Sequence, residues 1–159
     1  MFDMSLFGKC NTMNMIHLEG LPGFGKGYAT TMTLDEEHQC LQFKARAFKN
    51  TNDVELPLNK IIQAGNVNIT EIEQQSKVGR AIIGGMLFGN AGAIVGAMTA
   101  GEKQKIKTLY IINYSSNNEK KVIILKGNGG NLNYVGFQKR LNELLPKTEQ
   151  KTIQGKITL

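Results

Sequence analysis

Outside one segment, the chain is built on short alternations of apolar and polar positions. Met15 to Leu21 is an apolar run closed by Pro22-Gly23, a turn signal, and Tyr28 to Leu34 is rich in β-branched residues. Across 40–48, Leu41, Phe43, Ala45 and Ala47 alternate with Gln42, Lys44, Arg46 and Phe48, the period of a half-buried strand. With the polar connection Asp35 to Gln39, segments 28–34 and 40–48 read as a hairpin. Val54 to Leu58 carries Pro57, which places it at a sheet edge or strand end. Val67 to Ile72 alternates again and reads as a strand. From Ile106 to Tyr114 the run is apolar on both faces, because Leu109 and Ile111 fill the parity opposite Tyr110 and Ile112. Ser115 to Glu119 turns it back into Val122–Leu125. Tyr134, Phe137, Leu141, Leu144 and Leu145 then fall at helical spacing, with Asn131 as N-cap candidate and Pro146 as the stop.

The exception is Ala81 to Gly101, a segment without a charged residue, closed by Arg80 and Glu102. Every fourth position is small: Ala81, Gly85, Gly89, Ala93, Ala97, Gly101. A second line runs Gly84, Phe88, Gly92, Gly96, Ala100. On a helix each line would be a smooth face that lets another backbone approach closely. Three forms compete: two short helices turning at Gly89–Gly92, a single membrane span, and an irregular glycine-rich loop. A span is barely long enough at about 20 residues, and each glycine costs an exposed helix about 1 kcal/mol. The helical hairpin is the expected form, with Ala81, Gly85, Gly89, Gly92, Ala93, Gly96 and Ala97 as its interaction residues.

The sum is a mainly β fold: a curved antiparallel sheet or barrel, interrupted by a glycine-rich helical hairpin and capped by a C-terminal helix. The expected organisation is a lead-in at 1–14, one domain at 15–146 with its insert at 77–103, and a tail at 147–159.

Charge and chemistry narrow the function. Nineteen Lys and Arg against thirteen Asp and Glu give +6, which suits an acidic partner but equally a solvated surface. Cys10 and Cys40 stand far apart, with neither zinc-ligand spacing nor a disulfide framework. The first residues lack the basic-then-apolar order of a signal peptide, so the expected setting is the cytoplasm, at most peripheral to the inner face of the membrane. Gly20 to Gly27 imitates a phosphate-binding loop, but Gly27 stands where Ser or Thr would hold Mg²⁺, and β-branched residues follow where a helix must open. His17 sits in an apolar strand, the usual place of a structural histidine, and Asp35 to His38 reads as a solvated turn. No convergent nucleophile, base and metal ligands emerge, so no enzyme, cofactor or metal is expected. Basic residues are scattered without a recognition helix or stacking aromatics, which argues against nucleic acid.

His17-Leu-Glu-Gly-Leu-Pro-Gly-Phe with the strands after it, and Lys77 to Ala97, resemble the pleckstrin-homology-like (PH/GRAM-like) proteins of Gram-positive bacteria and their phages that carry a glycine-zipper insert. The resemblance covers most of 15–146 and implies a binding scaffold. Relatives of this fold often bind phosphoinositides through basic residues of the first strand–turn–strand. Here that region offers Lys26, with Lys44, Arg46 and Lys49 on the next strand, as the candidate anion-binding set. Two readings follow: an adaptor that self-associates or attaches to an anionic membrane surface through the glycine hairpin, or a soluble phage- or defence-related module that docks another protein. A nucleotide- or phosphate-binding protein using residues 20–27 is the third.

Overall fold

Most of the expected alternations become strands whose parity sorts their side chains onto two faces. The computed structural model describes residues 11–47, 50–79, 82–83, 85–127 and 134–145, with 82 and 83 by backbone alone. Most of the lead-in, the tail, Cys10, Lys49, Ala81, Asn131 and Pro146 lie outside the described residues.

Seven strands form one antiparallel sheet: β1 Thr12–Glu19, β2 Ala29–Asp35, β3 Cys40–Ala45, β4 Val54–Pro57, β5 Ile61–Asn68, β8 Thr108–Ser116 and β9 Glu119–Gly127. Their order is β4-β3-β2-β1-β9-β8-β5. The β8–β9 hairpin turns on Asn117 and Asn118, at φ +53° and +66°, the two-residue left-handed turn that matches strand twist. Asn tolerates that backbone.

One face of the sheet holds the first core. Met13 and Met15 of β1, Met32 and Leu34 of β2, Leu41 and Phe43 of β3, and Tyr110, Ile112, Ile123 and Leu125 of the β8–β9 hairpin meet there. Ala47, expected on that face, lies past the end of β3 and is exposed. Helix α4 (Tyr134–Leu144) drives Phe137 and Leu141 into the same core. Its polar side chains tie down the β5 edge: Tyr110 Oη donates to Gln138 Oε1 at 2.7 Å, and Gln138 Nε2 donates to the Ala64 carbonyl at 2.8 Å. Arg140 forms a two-pronged ion pair with Glu36 of the β2–β3 turn, and both partners hold their charged forms more firmly for it.

The opposite face holds a second core over β5, β8 and β9, with Val67, Leu109, Ile111 and Ile124 pointing into it. Leu18 joins them by ordinary alternation, on the parity opposite Met13 and Met15, and the bulge of β1 between His17 and Glu19 sets Glu19 opposite Ile124 on that same face. This core explains why β8 is apolar on both sides.

Two expectations change here. The alternation at 67–72 is not all strand: β5 ends at Asn68, and helix α1 (Ile69–Lys77) begins. Asn68 caps it by accepting the Thr70 N–H at 2.9 Å, and Ile69 and Ile72 then share its buried face at helical spacing. The glycine segment is not a pair of helices. Its first part is a two-stranded ribbon, β6 Ile82–Ile83 against β7 Met86–Leu87, and only the second part is helical. Gly85 turns that ribbon at φ +83°, a conformation that ends any helix and that a side chain would strain.

Candidate functional site

The excursion between β5 and β8 is closed at its base. Ile69 N–H donates to the Lys107 carbonyl at 2.9 Å, so the chain leaves and rejoins the sheet at one point. Between them lie α1, the ribbon, helix α2 (Ala91–Gly96) and helix α3 (Ala100–Lys105).

Side chains from the sheet seat this excursion. Asn113 continues the outward row of Leu109 and Ile111, and it is buried. Its Oδ1 accepts the Leu87 N–H, and its Nδ2 donates to the Leu87 carbonyl, each at 2.7 Å. One side chain thus supplies both bonds that a neighbouring strand would supply. Asn90 Nδ2 reaches the two oxygens of Glu19 on β1 at 3.2 and 3.1 Å. Lys103 of α3 pairs with Glu73 of α1 at 2.9 Å. Thr99 and Glu102 form a reciprocal capping box at the start of α3. The Thr99 N–H holds the Glu102 carboxyl below the usual carboxylate range, with smaller help from Lys126 and Lys26.

Bulk and smallness are divided between the two sides of the segment. Met86, Phe88, Ala91 and Val95 enter the second core. Burial of side chains the size of Met, Phe and Val stabilises by about 1.5–3 kcal/mol each, so the segment is a structural layer of the domain. Ala93, Gly96 and Ala97 are exposed on the far side. Gly92 faces neither way: a Cβ there would collide with Ser76 Oγ and lie 3.2 Å from Ser76 Cβ, so its missing side chain lets α2 approach α1.

The expected interaction residues therefore separate. Ala93, Gly96 and Ala97 share the exposed side of α2 and its end, Gly92 is used within the fold, and Gly85 and Gly89 are exposed at the ribbon turn and the turn before α2. A face running unbroken from 81 to 101 needs one continuous helix, and α2 covers only Ala91–Gly96.

Of the candidate anion set, Lys26, Lys44 and Arg46 fall among the described residues. Lys44 lies on the outward parity of β3, opposite Thr31, and Arg46 follows just past the end of the strand, also exposed. Lys26, in the β1–β2 loop, lies within electrostatic reach of Glu102 on the insert side. That loop opens into strand β2, so the helix a nucleotide loop requires is missing from it.

His17 organises the loop. It is buried, with Nδ1 3.0 Å from the Gly25 carbonyl and Nε2 accepting the Leu21 N–H at 3.0 Å. Those partners require the neutral ring with its proton on Nδ1. Burial pushes its pKa below the usual value, against smaller opposing contributions from Gly25 and Glu19. Among the described residues no His, Cys, Asp or Glu cluster could hold a metal, and no helix is long and apolar enough to cross a membrane.

Sequence reasoning missed Asn113, Ser76 and Glu19 as partners of the glycine segment. Only Asn113 left a signal, as a polar residue continuing an apolar row.

Compared with known families, residues 25–126 match the one described as a glycine zipper containing PH domain. No curated protein and no solved structure matches the chain.

Proposed function

The chain belongs to the glycine zipper containing PH domain family, and from that membership we propose a cytoplasmic binding module that self-associates through the outward side of its glycine segment. PH domains are, as a class, non-catalytic modules for binding protein or lipid. The observation that carries the finer reading is the division of the segment, with Phe88, Ala91 and Val95 inward and Ala93, Gly96 and Ala97 outward. The outward strip is uncharged and nearly flat, so the backbone of a second copy can approach it closely. A two-fold pairing would set the same strip against itself.

Membrane attachment is the second reading. Lys77, Lys105 and Lys107 are exposed beside the insert, each adding about 1 kcal/mol at an anionic surface. Attachment through this surface would be peripheral.

Sedimentation velocity across the micromolar range, with flotation on phosphatidylserine vesicles, tests both readings. Self-association predicts a concentration-dependent oligomer that Ala93→Glu with Ala97→Glu reduces to monomer. A wild-type monomer that floats with vesicles supports the second reading. A monomer that does not float defeats both.

A further inference from the structure

Strands β4 and β5 are the two ends of the sheet order and do not pair, so the sheet is open between them. A cavity of about 190 Å³ opens there, walled by Leu21, Val54, Leu56, Tyr114 and Ile123, all members of the first core or packed against it. Lys60 stands at its edge. An open cleft of about 480 Å³ shares Leu21 and Tyr114 with this cavity and carries on to Lys121 and Glu19. Lys121 is the cross-strand partner of Tyr114, and directly opposed residues share a face. Its side chain therefore leaves from the side of the sheet that carries Tyr114 and Ile123, in the cleft that adjoins the cavity.

The polar groups around this mouth are unequal. Both carboxylates are already engaged, Glu19 by Asn90 and Glu55 by Gln42 at 3.2 Å. Among the described residues, no ion pair involves Lys60 or Lys121, and no hydrogen bond engages the Tyr114 hydroxyl. The uncommitted groups are two ammonium ions and a phenol, all able to donate, above an apolar chamber. We propose that this mouth binds an amphipathic anion, a carboxylate or phosphate head held by Lys60 and Lys121 with an aliphatic or aromatic body in the cavity. The site is separate from Lys26, Lys44 and Arg46 and from the outward side of the glycine segment. It stands whether or not the protein self-associates.

Amide NMR titration of the full-length ¹⁵N-labelled chain with octanoate, octyl phosphate and octylamine tests it. Either anion should give saturable shifts at Leu21, Leu56, Tyr114 and Ile123, and which anion does so identifies the head group. Octylamine should leave them unmoved. Lys60→Gln with Lys121→Gln should weaken binding at least tenfold with the remaining spectrum unchanged, and Val54→Phe should weaken it by filling the chamber without altering charge. No saturable shift up to 10 mM would overturn the proposal. So would shifts centred on Lys44 and Arg46, equal binding of octylamine, or undiminished binding by the double variant.

Discussion

Asn113 holds Leu87 by both of its backbone polar groups, accepting the N–H and donating to the carbonyl at 2.7 Å each. A lone buried amide thereby replaces a strand edge, 26 residues away along the chain. Beside it Met86 enters the second core, so this contact and that side chain together hold β7 against the sheet.

Replacing Asn113 by Ala should therefore cost more than an average substitution. It leaves the Leu87 N–H and carbonyl without partners in a partly buried place, a loss of about 1–3 kcal/mol. Asn113→Asp keeps the acceptor but sets a carboxylate against the Leu87 carbonyl and should cost at least as much. Urea unfolding of the two variants against wild type checks this.

Two glycines of α2 should respond in opposite ways. Gly92→Ala places a methyl against Ser76 and should destabilise by about 1–3 kcal/mol, less in a Ser76→Ala background. Gly96→Ala meets nothing within 4 Å and should be neutral or stabilising by up to about 1 kcal/mol. Thermal unfolding of the single and paired variants separates close packing from mere loss of glycine.

Stability should fall in mild acid through His17. Its usual pKa is 6.5, and burial lowers it in the folded protein. Below 6.5 the unfolded chain takes up a proton that the folded chain refuses, so the contribution is complete above 6.5 and shrinks as pH falls towards the folded value. His38 works in the opposite sense, because hydrogen bonding to Asp35 raises its pKa and its contribution fades as pH rises. In a His38→Gln background, the urea midpoint should drop between pH 7 and 5.5, and adding His17→Gln should flatten that slope while lowering the midpoint at pH 7.

Gln138→Leu should loosen α4. It strands the Tyr110 hydroxyl, whose burial and neighbouring Tyr134 raise its pKa, and it frees the Ala64 carbonyl. The expected cost is about 1–3 kcal/mol, with faster hydrogen exchange at Phe137 and Leu141. Exchange measured by NMR at those two amides reports it.

Much of the sheet was legible because each strand carries its own parity. Leu41, Phe43 and Ala45 alone assign the inward face of β3. The apolar residues on both sides of β8 even announced a second layer, but not its identity. What covers them depends on Phe88, Ala91 and Val95: Ala91 and Val95 share one face of α2, and the segment is held over the sheet by Asn113 at Leu87. The small residues at every fourth position suggested two short helices turning at Gly89–Gly92, yet the turn at Gly85, inside the first of them, is a local backbone event that periodicity does not register. The switch at Asn68 was hidden for a related reason: Ile69 and Ile72 suit a helix, while Val67 with Ile69 suits a strand. The anion set came from the resemblance, and strand parity shows only that Lys44 leaves β3 on the side away from the first core.

The glycine segment lies with its bulk on its own sheet, and the proposed self-association turns its small side to a second copy. Isotope-filtered NOE spectroscopy on a mixture of ¹³C-labelled and unlabelled chains measures this directly. Contacts within one chain are expected from Phe88 and Val95 to Ile111 and Ile124, and contacts between chains only at Ala93, Gly96 and Ala97. Contacts between chains that instead involve Phe88 or Val95, or none at any concentration, would contradict it.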